Sequence, residues 1–172
     1  REIEGVQPYA LAQPQVSALL RPAEGGPPLT AKSKMAGQQM FAFSCFLDTG
    51  ASRMVLSRAT RQMLGVKETG QTVTDWGIGG TETFGVSAPY QFYVGGPEAN
   101  ITRPETFKYG IRCVMEVRQK RETLEGAMPG DMSDMLTESM GQLGFSSEDV
   151  AQMFLPSMNI VGTPFLRSHV AI

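Results

Sequence analysis

The feature that most constrains this chain is the segment Gln39–Asp48, which is apolar along most of its length and leads into Thr49, Gly50 and Ala51. Side chains alternate between the two faces of a strand, and here both faces are largely apolar. A strand of this kind is typical of the buried centre of a sheet. Because the apolar run stops at Asp48, the sequence predicts a carboxylate at the end of a central strand, followed by a tight turn that Gly50 permits.

Length and charge define a broad class of protein. The 172 residues are 41% apolar and 19% charged, which is the composition of one globular domain with a hydrophobic core. The formal net charge of -2 gives no electrostatic basis for binding nucleic acid. No apolar run reaches the length of about 20 residues that a membrane span needs. We therefore expect neither a nucleic-acid partner nor a membrane span, and the sequence leaves the compartment undecided.

Metal and nucleophilic chemistry have few candidate residues. Cys45 and Cys113 are far apart and match no metal-binding spacing, and His169 is the single histidine. We therefore predict no metal site and no cofactor. A Ser-His-Asp triad would have only that histidine as its base. The sequence does not decide whether the two cysteines form a disulfide, although two buried free thiols are the simpler interpretation.

Short apolar runs separated by turn residues predict a mainly β domain. One short helix is predicted over Arg58–Leu64, because Ser57 is a good N-cap residue and Gly65 suits the position after the last turn. The predicted strands, besides Gln39–Asp48, are Val16–Leu20, Leu29–Lys34, Tyr90–Val94, Tyr109–Val117 and Asn159–Ile172, and Met54–Leu56 is a further short apolar run.

A glycine-rich turn separates two further β-prone runs in the middle of the chain. Two such runs around a tight turn predict a β-hairpin. Trp76, at the end of the first run, is interpreted as a packing residue. The runs Gln71–Trp76 and Thr81–Ser87 flank the turn residues Gly77, Ile78, Gly79 and Gly80.

The segment 119–158 differs in character from the rest of the chain. Apolar residues at helical spacing predict a helix over Asp131–Leu143. A second helix is predicted over about 146–155, which begins with serine and ends before a proline. We therefore predict a helical hairpin inserted into a β domain of residues 14–172, with residues 1–13 as an N-terminal extension.

Three motifs, in this order, resemble one known family. Asp48-Thr49-Gly50-Ala51 follows an apolar strand, the hairpin turn Gly77–Gly80 comes later, and Ile160-Val161-Gly162 is followed by Pro164–Arg167. Together they resemble the retropepsin-like aspartic proteases of the pepsin superfamily, over roughly residues 14–118 and 159–172. The resemblance implies a barrel-like acid-protease lobe, in which the last motif is the hydrophobic-hydrophobic-Gly segment and precedes a short helix.

The resemblance implies a mechanism in which two Asp carboxylates share a proton and activate a water between them. Asp48 is the implied catalytic carboxylate. The chain has one such motif, so the second Asp is expected from a second subunit or from another lobe. Thr49 is implied to link the two active-site loops and Gly50 to permit their close approach. Ala51 stands where pepsins carry a serine, as it does in retropepsins.

The hairpin is implied to be the flap that closes over a polypeptide substrate. An extended peptide would bind beneath it by strand addition, with an apolar preference beside the cleaved bond as the family expectation. Ser52 and Arg53 are expected beside the site, and the sequence assigns them no role. The implied flap residues are Trp76, Gly77, Ile78, Gly79 and Gly80.

Three hypotheses are open from the sequence. The first is an aspartic endopeptidase that acts as a homodimer. The second is a non-catalytic peptide-binding or dimerisation module of the same fold, and the third is one lobe of a two-lobed protease. The intact Asp-Thr-Gly motif favours a catalytic role, because a binding module has no physical need for a carboxylate at that position.

Overall fold

The computed structural model describes residues 14–32, 39–77, 80–119, 130–142, 144 and 159–169. Within these ranges the chain forms eleven β-strands and three α-helices. Nine of the strands belong to one sheet, and the other two form a separate ribbon. The fold is therefore mainly β, as the sequence predicts.

The elements follow one another in this order along the described chain. The strands are β1 (Gln15–Pro22), β2 (Ala31–Lys32), β3 (Gln39–Met40), β4 (Phe43–Leu47), β5 (Val55–Leu56), β6 (Glu68–Gly77), β7 (Gly80–Ser87), β8 (Tyr90–Val94), β9 (Tyr109–Cys113), β10 (Glu116–Arg118) and β11 (Ile160–Val161). The helices are α1 (Arg58–Leu64), α2 (Gly130–Gln142) and α3 (Thr163–His169), and a 3-10 turn covers Pro104–Thr106.

The large sheet curls on itself, with the strand order β6-β7-β10-β5-β11-β4-β1-β8-β9. Two of its neighbouring pairs, β10 with β5 and β11 with β4, are parallel, and the other pairs are antiparallel. Because β4 lies between β11 and β1, the strand that leads to Asp48 occupies the interior of the sheet. This curled sheet with few helices confirms the mainly β class that the sequence predicts.

Two predicted strands are each divided into two. The predicted strand Gln39–Asp48 consists of β3, which pairs with β2 in the small ribbon, and β4, which pairs in the large sheet. At the break, the Phe41 ring packs edge to face on Phe107 at a centroid distance of 6.2 Å, in a second small core cluster. The predicted strand Tyr109–Val117 divides because β9 pairs with β8, whereas β10 pairs with β5 and β7.

Helix α1 begins and ends at its predicted caps. The Ser57 hydroxyl accepts a hydrogen bond from the backbone N–H of Thr60 at 3.0 Å, and Gly65 ends α1 with a left-handed φ of 65°. Helix α2 confirms the first helix of the predicted insertion, and the second predicted helix lies outside the described residues. Helix α3 confirms the short helix that the family resemblance implies after Gly162. The strand predicted over Asn159–Ile172 was wrong beyond β11, because Thr163–His169 form this helix.

Phe92 joins three elements at the centre of the main core. It is 1% exposed, and its ring meets those of Phe43 and Phe165 edge to face at centroid distances of 6.1 and 6.5 Å. Aromatic pairs of this geometry contribute about 0.5–1.5 kcal/mol beyond the burial of their area. The three rings come from β8, β4 and α3. Their packing therefore joins helix α3 to β4, the strand that leads to Asp48.

Replacing Phe92 with Ala should lower the free energy of unfolding by about 3–5 kcal/mol, because it leaves a cavity between three elements. Urea unfolding followed by circular dichroism measures the change. Ile101→Ala is the control, since Ile101 is 62% exposed and its truncation should change the free energy by less than about 0.5 kcal/mol. Similar losses in the two variants would contradict this description of the core.

Candidate active site

Strand β11 lies between β4 and β5, which do not pair with each other. Ile160 pairs in parallel with Phe46 of β4 and antiparallel with Val55 of β5. The residues that connect β4 to β5 must therefore cross the end of β11. We name residues 48–54 the Asp48 loop.

Hydrogen bonds fix the backbone of the Asp48 loop. The N–H of Asp48 donates to the carbonyl of Val161 at 3.1 Å, and the N–H of Thr163 donates to the carbonyl of Ala51 at 2.8 Å. Within the loop, the N–H of Gly50 donates to Oδ1 of Asp48 at 2.8 Å. The two predicted motifs, Asp48-Thr49-Gly50-Ala51 and Ile160-Val161-Gly162, are therefore in direct contact.

The two side chains at the start of the loop face solvent although the loop backbone is held. Asp48 and Thr49 are both exposed. Within the part of the chain that the structure describes, Asp48 takes part in no ion pair. The loop thus presents a carboxylate and a hydroxyl on a fixed backbone, with no second carboxylate joined to them.

Gly162 lies directly beneath the loop and is buried. A Cβ atom at this position would overlap the carbonyl oxygen of Arg53 and would come within 2.6 Å of that of Ala51. Both are backbone atoms, so no change of rotamer relieves the overlap. The glycine of the Ile160-Val161-Gly162 motif is therefore required by the close approach of the loop backbone.

Asn159 is a site-supporting residue that the sequence reasoning missed. It is fully buried, and its Oδ1 accepts the N–H of Ser57 at 2.8 Å. Its Nδ2 donates to the carbonyl of Ser44 at 2.9 Å and to Thr60 Oγ1 at 3.0 Å, and its own carbonyl accepts the N–H of Phe46 at 2.8 Å. One side chain thus ties β4, α1 and the start of β11 together. The sequence signal for this residue was a single asparagine directly before the apolar residues Ile160 and Val161.

Charged side chains lie where the Asp48 loop, β10 and the hairpin of β6 and β7 meet. Arg53 Nε is 3.6 Å from Glu116 Oε1, and Arg118 Nε is 4.0 Å from Glu82 Oε1. Asp75 stands directly opposite Glu82 across the hairpin, and a like-charge pair in that arrangement is unfavourable without nearby cations. We name these five residues the charged wall.

Glu116 is the buried member of the charged wall. Its side chain is 9% exposed and comes from the middle of the sheet, where β10 lies between β5 and β7. Burial raises the pKa of its carboxyl, the guanidinium of Arg53 lowers that pKa, and repulsion from Asp75 raises it, with a net upward shift. The sequence signal for this residue was a glutamate inside an apolar strand.

Strands β6 and β7 form the predicted hairpin, with Gly77 paired to Gly80. Ile78 and Gly79 lie outside the described residues. The interpretation of Trp76 as a packing residue was wrong, because its side chain is 80% exposed. Strand β10 pairs with β7 only from Phe84 onward, so this end of the hairpin extends beyond the neighbouring strand and leaves Trp76 uncovered.

Serine and cysteine chemistry have no support in the described chain. Ser168 Oγ lies 3.1 Å from Nδ1 of His169, but it also lies 2.9 Å from the carbonyl of Phe165 and 3.0 Å from that of Pro164, so its hydroxyl has acceptors in the backbone of its own helix. Cys45 and Cys113 are free thiols; burial raises the pKa of Cys113 to about 12 and raises that of Cys45 as well. Neither forms a reactive thiolate at neutral pH.

The described residues form neither a metal-binding cluster nor a membrane-spanning helix. No group of three or more His, Cys, Asp or Glu side chains there is arranged to hold a metal ion. No helix of the described part is long and apolar enough to cross a membrane. The candidate active site is the Asp48 loop together with the adjoining charged wall.

Comparison with known proteins gives a structural likeness and no sequence relative. No protein family and no curated protein matches the chain. A solved structure that matches is the EIAV protease complexed with the inhibitor HBY-793, with 14% identity and a TM-score of 0.44, and the alignment covers 100% of this chain and 95% of that one. Because the TM-score and identity are low, the function rests on the geometry of the site.

Gly162→Ala should lower the free energy of unfolding by about 1–3 kcal/mol, because its methyl group meets the loop backbone. Gly141→Ala is the matched control, since a Cβ at Gly141 in α2 meets nothing within 4 Å and a helical alanine is favourable by up to about 1 kcal/mol. Thermal unfolding of both variants measures the effect. A harmless Gly162→Ala substitution would show that the loop does not rest on this residue.

Glu116→Gln should become more stable relative to the unchanged protein as the pH rises from about 4 to about 7. The raised pKa means that the folded state holds the Glu116 proton more tightly than the unfolded chain does. As the pH rises above the ordinary glutamate pKa of about 4.3, ionisation of Glu116 therefore destabilises the folded state of the unchanged protein. Glutamine cannot ionise, so the variant does not undergo this loss. Denaturant titrations at several pH values measure the difference, and a difference that stays constant or falls with rising pH would contradict the assignment.

Proposed function

We propose that this chain is a lobe of an aspartic endopeptidase, which hydrolyses peptide bonds in extended polypeptide and is active as a homodimer. The observation that carries the proposal is the placement of Asp48. Its carboxylate is exposed at the end of an interior strand, on a loop whose backbone is hydrogen-bonded to β11. Catalytic groups need this combination of a fixed backbone and an accessible reactive atom.

The chemistry requires a second carboxylate. Two carboxyl groups about 3 Å apart cannot both ionise, so they hold one proton between them. The ionised group takes a proton from a bound water, and the protonated group donates to the carbonyl oxygen of the peptide bond. Water is the nucleophile, so the mechanism uses neither a covalent intermediate nor a cofactor. Asp48 of a second copy is the proposed partner, and a different lobe is the alternative.

The neighbours of Asp48 have separate proposed roles. Thr49 is exposed beside it, and we assign it to the contact with the loop of the second lobe. Gly50 donates its N–H to one carboxylate oxygen, which orients the carboxylate. Ala51 has no side-chain hydroxyl, so it donates no hydrogen bond to the carboxylate of Asp48. The oxygens of Asp48 then remain available to the second carboxyl group and to the water.

The hairpin of β6 and β7 is the proposed flap. Its described end, where Gly77 pairs with Gly80 after the exposed Trp76, extends beyond β10. We assign Ile78 and Gly79, which join these two glycines in the sequence, to the same flap. An extended peptide that lies between the hairpin and the Asp48 loop can add a strand to the hairpin, and closure then excludes water from the site. The single tryptophan of the chain lies where such closure would change its environment.

Asp48→Asn should reduce cleavage of a reduced, unfolded protein substrate by at least about a hundredfold, because the amide cannot share a proton or activate water. Activity is assayed from about pH 3 to about pH 7, the range in which paired carboxyl groups titrate. Asp134→Asn is the matched control, since Asp134 is exposed on α2 and should leave cleavage unchanged. Cleavage that survives in Asp48→Asn would exclude the proposed chemistry.

Sedimentation of the same preparations distinguishes the possible partners. Active dimers support the homodimer, and Asp48→Asn added in excess to active protein should then depress activity, because mixed dimers carry one working carboxylate. A folded, inactive monomer would point to a lobe that needs a different partner. A folded, inactive dimer that binds peptide would point to the non-catalytic module.

A further inference from the structure

Arg53 is the accessible cation of the charged wall. Its side chain is 62% exposed, whereas those of Glu116, Arg118 and Glu82 are 9%, 21% and 27% exposed. Its Nε faces Glu116, and no other ion pair or hydrogen bond engages its guanidinium among the residues that the structure describes. The guanidinium therefore has a buried carboxylate on one side and solvent on the other.

The position of Arg53 relates it to a bound peptide. Arg53 belongs to the Asp48 loop, and it forms an ion pair with Glu116. The negative charge of Asp75, on the hairpin, repels the carboxylate of Glu116, so the hairpin lies within electrostatic range of this pair. The loop and the hairpin are the two sides between which the proposed function places an extended substrate. A substrate side chain that points toward this wall meets Arg53 and Asp75, the two exposed charges, rather than an apolar surface.

We propose that Arg53 binds a carboxylate side chain of the substrate, so that peptides with Glu or Asp near the cleaved bond are preferred. This inference rests on the proposed function, and it replaces the expected apolar preference at this one subsite. A guanidinium held by its Nε still offers its terminal amino groups, which match the two oxygens of a carboxylate. The ion pair with Glu116 favours guanidinium positions on this side of the loop, which lowers the rotamer freedom lost on binding.

Asp75 is the group that competes with this assignment. It is exposed, and its Oδ1 accepts the N–H of Trp76 at 2.7 Å, so part of its hydrogen-bonding capacity is used within the hairpin. It also belongs to the hairpin, which is expected to move when substrate enters. If Asp75 rather than Arg53 selected the substrate, a basic side chain would be preferred at the same position.

The test compares one peptide with three side chains. Cleavage sites are first mapped in a reduced, unfolded protein, and one well-cleaved sequence is made as a peptide. Each position around the cleaved bond is set in turn to Glu, Gln or Lys, and kcat/KM is measured at about pH 5, where peptide glutamate is largely ionised. We expect Glu to exceed Gln about tenfold, or about 1.4 kcal/mol, at one position on each side of the bond if two copies contribute.

The variants separate this role from a general change of charge. Arg53→Gln should bring the Glu-to-Gln ratio of kcat/KM close to one. Arg112→Gln is the matched control. Arg112 lies on the edge strand β9, away from the Asp48 loop. Its side chain is 60% exposed and lies 3.5 Å from a carboxylate oxygen of Glu24, so it resembles Arg53 in exposure and in having one acidic partner. It should keep the tenfold ratio. A ratio that Arg53→Gln leaves unchanged, or a preference for Lys in the unchanged protein, would overturn the proposal.

Failure of the proposed function gives a different pattern. If no peptide is cleaved, the same Glu, Gln and Lys peptides are titrated against the protein with the fluorescence of Trp76, the single tryptophan, as the signal. Tighter binding of the Glu peptide that Arg53→Gln removes would support the Arg53 site in a non-catalytic module. Equal binding of the three peptides, or no binding, would overturn it.

Discussion

The insertion of β11 between β4 and β5 is the constraint on which the position of Asp48 depends. Since the two outer strands pair with β11 and not with each other, the residues between them cross its end and are held by hydrogen bonds from Asp48 and Thr163. Gly162 makes the crossing possible, because a side chain there would overlap the loop backbone. Asn159 holds the other end of the same strand through three side-chain hydrogen bonds. The site therefore forms only when residues far apart in the sequence have already come together.

The charged wall shows how a β-hairpin can be built against its own local preference. Asp75 and Glu82 face each other across the strands, an arrangement that costs stability in isolation. Arg118 lies near Glu82, and Arg53 approaches the wall from the Asp48 loop. The loop and β10 therefore supply the cations that offset part of this repulsion. Under the proposed function, a substrate bound between the loop and the hairpin would change the electrostatic balance of both.

Sequence patterns predicted the elements whose causes are local. The bounds of α1 follow from Ser57 and Gly65, and β8 follows from its own alternation of apolar residues. The long predicted strand Gln39–Asp48 was divided instead, because Phe41 finds its partner in Phe107, which no pattern within the strand reveals. Periodicity reports that a side chain is buried, and it does not report which cluster buries it.

The candidate site divides in the same way. The resemblance selected the short motifs that contain Asp48 and Gly162, and the structure brings the backbones of these two motifs into contact. Asn159 and Glu116 were missed because each is a single polar residue, the first directly before an apolar strand and the second inside one. Their structural roles depend on partners that are distant in the sequence. Trp76 was misread because tryptophan is usually buried, whereas here the hairpin extends past the strand that could cover it.

The exposure of Asp48 and Thr49 is what the proposed assembly requires. A carboxylate that needs a partner group must be left open on the side where that partner arrives, and the loop leaves these two side chains open while it fixes their backbone. If the partner is a second copy, the assembly has a two-fold axis close to Asp48. The same axis then places a second Arg53 on the other side of the site. Selection by charge would act on both sides of the cleaved bond, whereas a partner lobe of different sequence would make it one-sided.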